Sequence, residues 1–180
     1  MNYRYFDATR YIETITQNSN VAGAYGFKFH RISGIAAAEE LVANMRKETA
    51  FIAIDETGES SIELKDYGPF EHKLYTVFIL RRFKVNDQES RLRELNICRL
   101  MMLKFLAWFL HDKDKFLDAM IYLDTDVQAR ELGETVLNGC TGLYFTFSFA
   151  RPTDLIFEAQ DWIDPNRPFD DSFDYTFGKP

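Results

Sequence analysis

A chain of 180 residues is long enough for one domain with a sizeable core, and 46% hydrophobic with 27% charged residues is an ordinary globular composition. A net charge of −7 speaks against a general nucleic-acid binder, because phosphate contacts need a basic surface. The greasiest run, 97–110, is shorter than a bilayer span and is broken by Arg99 and Lys104, so no membrane association is expected.

In chain order, Asp7 is placed to cap a first helix running to about Gln17, with Tyr11, Ile12 and Ile15 on one face. NSNVAGAYGFKFHRISG suggests turns and a short strand over 25–32. Residues 35–47 read as a helix, striped by Ile35, Ala38, Leu41, Val42 and Met45. The period then changes. TAFIAIDE (49–56) reads as a buried strand and TGES as a turn. SIELKDY (61–67) alternates Ile62 and Leu64 with Glu63 and Lys65, and Gly68-Pro69 breaks it. KLYTVFILRRFKV (73–85) is a long β-branched and aromatic strand. Asn86 and Asp87 supply a cap for the longest helix, 87–111, whose sheet-facing stripe is Leu95, Cys98, Met102, Phe105 and Phe109. After a DKDK turn, 120–133 begins as a strand and becomes an exposed connection. Gly139 and Gly142 flank Cys140, which suggests a bend or bulge where the last strand begins.

That last strand, TGLYFTFSFARP, places Leu143, Phe145, Phe147 and Phe149 on one face and Tyr144, Thr146, Ser148 and Ala150 on the other. A phenylalanine wall of this kind is either a base-stacking platform or the floor of a core. A platform needs basic residues between its aromatics, and only Arg151 lies near. Phe145, Phe147 and Phe149 are therefore assigned to the core, against Phe105 and Phe109, with the Tyr144 face exposed or packed on a neighbour. Residues 1–150 form the α+β domain: a mostly antiparallel sheet of about four to five strands packed against helices. Residues 151–180 are an acidic, aromatic C-terminal tail holding four of the five prolines and seven Asp/Glu against three Lys/Arg.

No motif carries catalysis. Cys98 and Cys140 lack CxxC spacing and a nearby histidine, and are read as reduced and buried in a reducing compartment. MNYRYFDATR lacks the apolar region of a secretory signal. His30, His72 and His111 form no HxxxH or HExxH. The pairs Asp112/Asp114, Asp124/Asp126 and Asp170/Asp171 lack the glycine and closing glutamate of a calcium loop. Gly23-Ala24-Tyr25-Gly26 lacks the lysine of a phosphate loop. No catalytic residue, metal or cofactor is assigned.

The order of elements resembles the tail-terminator and tail-completion (neck) proteins of long-tailed bacteriophages. The positions that carry the resemblance are a strand like Phe51 to Asp55, a long strand like Leu74 to Phe83, the helix from Asp87 and a glycine-led strand like Gly142 to Phe149. Together they span roughly residues 9–150. The helix over 35–47 and the tail depart from the simplest members. The resemblance implies a non-enzymatic subunit of a phage or prophage virion, assembled in the bacterial cytoplasm as a homo-oligomeric ring. It would close the tail tube beside tail-tube and head-neck proteins, without specific nucleic-acid binding. A cytosolic protein- or RNA-binding module is the alternative. The expected subunit or partner contacts are Arg91 and Arg93 on the helix and the tail anchors Trp162, Phe169, Phe173 and Phe177.

Overall fold

The computed structural model describes residues 6–34, 48–66, 68–124, 126–132, 139–153, 155, 158–161 and 163. The expected helix over 35–47 and the tail anchors Trp162, Phe169, Phe173 and Phe177 lie outside the described residues. Among those described, the fold is α+β, a seven-stranded mixed sheet packed against helices.

Helix α1 (Ala8–Asn18) starts where Asp7 accepts a hydrogen bond from the Arg10 amide at 2.9 Å. Ser19 ends it and caps the short α2 (Asn20–Ala24), accepting from the Ala22 amide. Gly26, with φ +70°, then turns the chain into β1 (Lys28–Ile32), which begins later than the sequence suggests. Helix α3 (Gln88–His111) is capped by Asp87, which accepts from the Ser90 amide at 2.9 Å. The expected turn after it is a second short helix, α4 (Lys113–Asp118).

The sheet has seven strands where about four to five are expected, and two of the predicted breaks are corrected. β2 (Ala50–Asp55) and β3 (Ser60–Lys65) both pair antiparallel with one edge of β4 (Gly68–Arg82). TGES therefore does not reverse the chain. Ser60 already belongs to β3, and residues 56–59 form a four-residue interruption in one long hairpin, opposite Leu74 and Tyr75. Gly58 makes it possible: a Cβ there would stand 2.4 Å from the Leu74 carbonyl oxygen. The strand before Gly68-Pro69 does end there, β3 stopping at Lys65, but the two residues themselves open β4, with Pro69 in register with Leu64. β7 (Cys140–Pro152) pairs with β4 without interruption from Arg82↔Cys140 to Phe70↔Pro152, so the pairing contains no bulge at Cys140. Gly142 instead serves close approach, its absent Cβ lying 2.0 Å from the Ile79 carbonyl oxygen. β5 (Tyr122–Leu123) and β6 (Gln128–Leu132) line the other edge of β7. The β1–β2 pair is parallel and the other pairings are antiparallel.

Helices α1 and α3 cover one face of the sheet. Phe145, Phe147 and Phe149 are buried there, each burial contributing roughly 2–3 kcal/mol. Phe109 meets Phe147 at 5.0 Å between ring centroids, Phe105 meets Phe145 at 6.0 Å, and Phe149 contacts Phe116 and Phe6. On α3, Met101 rather than Met102 joins Leu95, Cys98, Phe105 and Phe109 as a buried residue. Met102 lies only partly buried at the margin. The opposite face has a second buried cluster: Ile32, Phe51, Ala53, Phe78, Leu80 and Cys140. Tyr144 packs against it, its ring 5.6 Å from Phe78, and Thr146 and Ser148 on the same face are half-buried. Both faces of β2 are thus covered, which explains its unbroken apolar run.

Candidate assembly surface

The ribbon formed by β2, β3 and β4 changes environment at its interruption. The first five residues of β2 are buried, whereas every residue of β3 is exposed. β1 pairs with β2 and not with β3, so the outer edge of β3 has no strand partner among the described residues. Ile62 and Leu64 are 54% and 76% exposed, although their alternation reads as a half-buried strand. The strand signal is correct, but the arm extends past the described helices, and no layer among the described residues covers it. An uncovered edge with apolar side chains is a template for a further strand. β6, at the far side of the sheet, is protected by charge, with Arg130 and Glu131 exposed on it.

Helix α3 is apolar on its outer face as well. Leu92, Leu100, Leu103, Trp108 and Leu110 are exposed, Leu103 at 57% and Leu110 at 63%. Their spacing of three and four residues puts Leu100, Leu103, Ala107 and Leu110 in one stripe. Next to it is an open groove of about 480 Å³ between α3 and the α1–α2 corner. Ile15, Val21, Met101, Lys104, Trp108 and His111 are among its lining residues. A single apolar face explains a helix that only covers a sheet; this one has two.

Asp112 fixes that corner. It accepts hydrogen bonds from Tyr11 Oη (2.9 Å), Trp108 Nε1 (2.8 Å) and Lys115 Nζ (2.6 Å), and His111 Nδ1 lies 3.0 Å from it. Burial raises its pKa, but these donors together outweigh that and hold the carboxyl at about 2. Tyr11 moves the other way: burial and the neighbouring carboxylate push its hydroxyl well above the usual range. This arrangement ties α1, α3 and α4 together and leaves the carboxylate no free base function near pH 7. Arg81 similarly joins β4 to α3. Its Nε donates to Glu94 at 2.6 Å, and its guanidinium lies over the Tyr25 and Phe27 rings.

The remaining chemical candidates are dispersed. Burial pushes the Cys98 thiol up to about 12 and raises that of Cys140, so both are protonated near pH 7. His30, His72 and His111 each lie beside a different carboxylate, on Glu48, Glu63 and Asp112. Asp124 accepts from the Asp126 amide and from Ser148 Oγ, which makes it a turn former. Among the described residues no three His, Cys, Asp or Glu side chains gather closely enough to hold a metal ion, and no helix is long and apolar enough to cross a membrane.

The two arginines expected at a contact sit on different flanks of α3. Arg93 is exposed, with its Nε 3.3 Å from Glu94. Arg91 is half-buried; the Glu131 carboxyl of β6 is held down chiefly by the hydrogen bond from Arg99 Nε at 2.6 Å, with the Arg91 charge adding to it. Sequence reasoning missed the outward leucines of α3. The available signal was that this helix has apolar residues on every side, rather than one stripe. Compared with known proteins, the chain matches no protein-family model and no curated protein.

Proposed function

We propose that the protein is a non-enzymatic structural subunit of a bacteriophage or prophage virion, a tail-terminator-like or neck component that closes the tail tube and joins it to the head. The observation that carries the assembly part is the bare, apolar edge of β3. A neighbouring subunit adds a strand there: main-chain hydrogen bonds supply affinity, and Ile62 and Leu64 supply buried area. The particular family is supported by the order of elements, with the long strand β4, the capped helix α3 and the glycine-led β7 in sequence. In this reading the subunits form a homo-oligomeric ring beside tail-tube and head-neck proteins. The ring assembles in the bacterial cytoplasm and is carried in the virion without a cofactor. An acidic lining would let nucleic acid pass without sticking, since like charges repel.

The same β3 edge also favours a second reading, a cytosolic protein-binding module. The RNA-binding version of that module loses support, because Phe145, Phe147 and Phe149 are buried and offer no stacking face. Light scattering over a range of concentrations, with negative-stain microscopy of the protein mixed with phage tail tubes, tests the proposal. Closed rings or capped tube ends are expected. A monomer at every concentration together with bare tube ends would sink the virion reading and leave the binding module.

A further inference from the structure

The leucine stripe of α3 and the adjoining groove form an apolar surface on a helix whose sheet-facing side is already satisfied. Ala107 lies in the stripe between Leu103 and Leu110 and also lines the groove, so the two surfaces are continuous. Basic residues border it. Arg93, Lys104 and His111 are separated by about three and about two whole helical turns, which aligns them along one flank of the stripe. Lys104 has no ion pair among the described residues, and Arg93 remains 67% exposed beside Glu94. The chain as a whole is acidic, so this flank is a local reversal of sign.

We infer that the chain's own segment 164–180 docks in cis along this surface, its phenylalanines on the leucine stripe and in the groove and its aspartates toward Arg93 and Lys104. Three observations favour this occupant. The segment contains Phe169, Phe173 and Phe177, which in an extended chain stand about 13 Å apart and together span about 26 Å, within the length of α3. Asp170, Asp171 and Asp174 lie between those anchors and complement the basic flank. The chain also leaves β7 at the right end of the molecule: Phe149 contacts Phe116 of α4, the helix that follows the groove residues Trp108 and His111. Residues 153–163 connect that end of β7 to the segment, and 164–180, extended, would span about 50 Å, more than the roughly 36 Å length of α3. Tethering gives it an effective concentration in the millimolar range, which favours the chain's own surface over that of another copy. The aromatic contacts supply most of the affinity, and the exposed ion pairs set direction. A monomer would show this docking as readily as a ring, so the inference stands apart from the virion reading.

Hydrogen exchange on the full-length protein tests it. Amides of 164–180 are expected to exchange at least tenfold more slowly than a random coil, to the same extent at low and high protein concentration. Leu103→Glu should abolish that protection. Arg93→Glu combined with Lys104→Glu should reduce it several-fold. Both variants should leave β7 amides protected as in the wild type, because the altered side chains are exposed. Random-coil exchange throughout 164–180 would overturn the inference, as would protection that survives Leu103→Glu. Protection that grows with protein concentration would also overturn it, by assigning the surface to a second copy.

Discussion

β2 and β3 are two halves of one ribbon edge, paired to the same strand and separated by four residues, yet one is buried and the other bare. In β2, Phe51 and Ala53 face one apolar layer while Ile52 and Ile54 face the other. In β3, Ile62 and Leu64 are exposed and face no apolar layer among the described residues. Both halves pair with β4, but β2 also has β1 on its other edge and an apolar layer on each face, and among the described residues β3 has neither. Pairing makes a strand, whereas a second layer makes a core. A paired but uncovered strand remains available to a partner.

The largest expected effect comes from breaking the covered side. Phe147→Asp should unfold the protein, because it buries an unpaired charge between Phe109 and Tyr75. Phe147→Ala should cost about 3–5 kcal/mol in denaturant titrations, since the cavity cannot close between two packed layers. If Phe147→Ala leaves the unfolding midpoint unchanged, the phenylalanine wall is not core.

Gly58→Ala probes the junction between the two halves. The added Cβ meets the Leu74 carbonyl oxygen, a backbone atom that cannot rotate away. A loss of about 1–3 kcal/mol is expected, with the extra exchange confined to β3 and the facing part of β4. A uniform loss across the sheet would show that the interruption is not a local device.

Asp112 gives a pH signature on the helical side. A carboxylate held at about 2 contributes stability that is fully present above its ordinary pKa near 4 and is lost as pH falls toward 2. After allowance for solvent screening the contribution is about 1–2 kcal/mol. Asp112→Asn should therefore be less stable than the wild type at pH 7, and the difference should shrink between about pH 4 and pH 2. A difference independent of pH would assign the role of Asp112 to shape rather than charge.

Local signals in the sequence carried much of this fold. Asp7 and Asp87 accept from the amides three residues on, as their positions before apolar periodicity implied, and α1 and α3 occupy nearly the expected spans. β4 and β7 follow from runs of aromatic and β-branched residues. Direction was harder to read. TGES has turn composition, but only the pairing of both flanking strands with β4 shows that the chain continues straight on. The candidate assembly surface was least legible. The alternation of Ile62 and Leu64 states which side chains share a face, and cannot state whether that face is covered. Likewise Leu100, Leu103 and Leu110 read as helix-forming residues until the packing on α3's other side is known.

The most direct test of the bare edge is the double variant Ile62→Lys, Leu64→Lys. Lysines on an edge strand oppose strand addition, and neither position touches the core. Stability should change by less than about 0.5 kcal/mol, while light scattering should show assembly lost or weakened by an order of magnitude. A variant that assembles like the wild type would contradict the account. So would one that loses stability on the scale of Phe147→Ala, because β3 would then be part of the core after all.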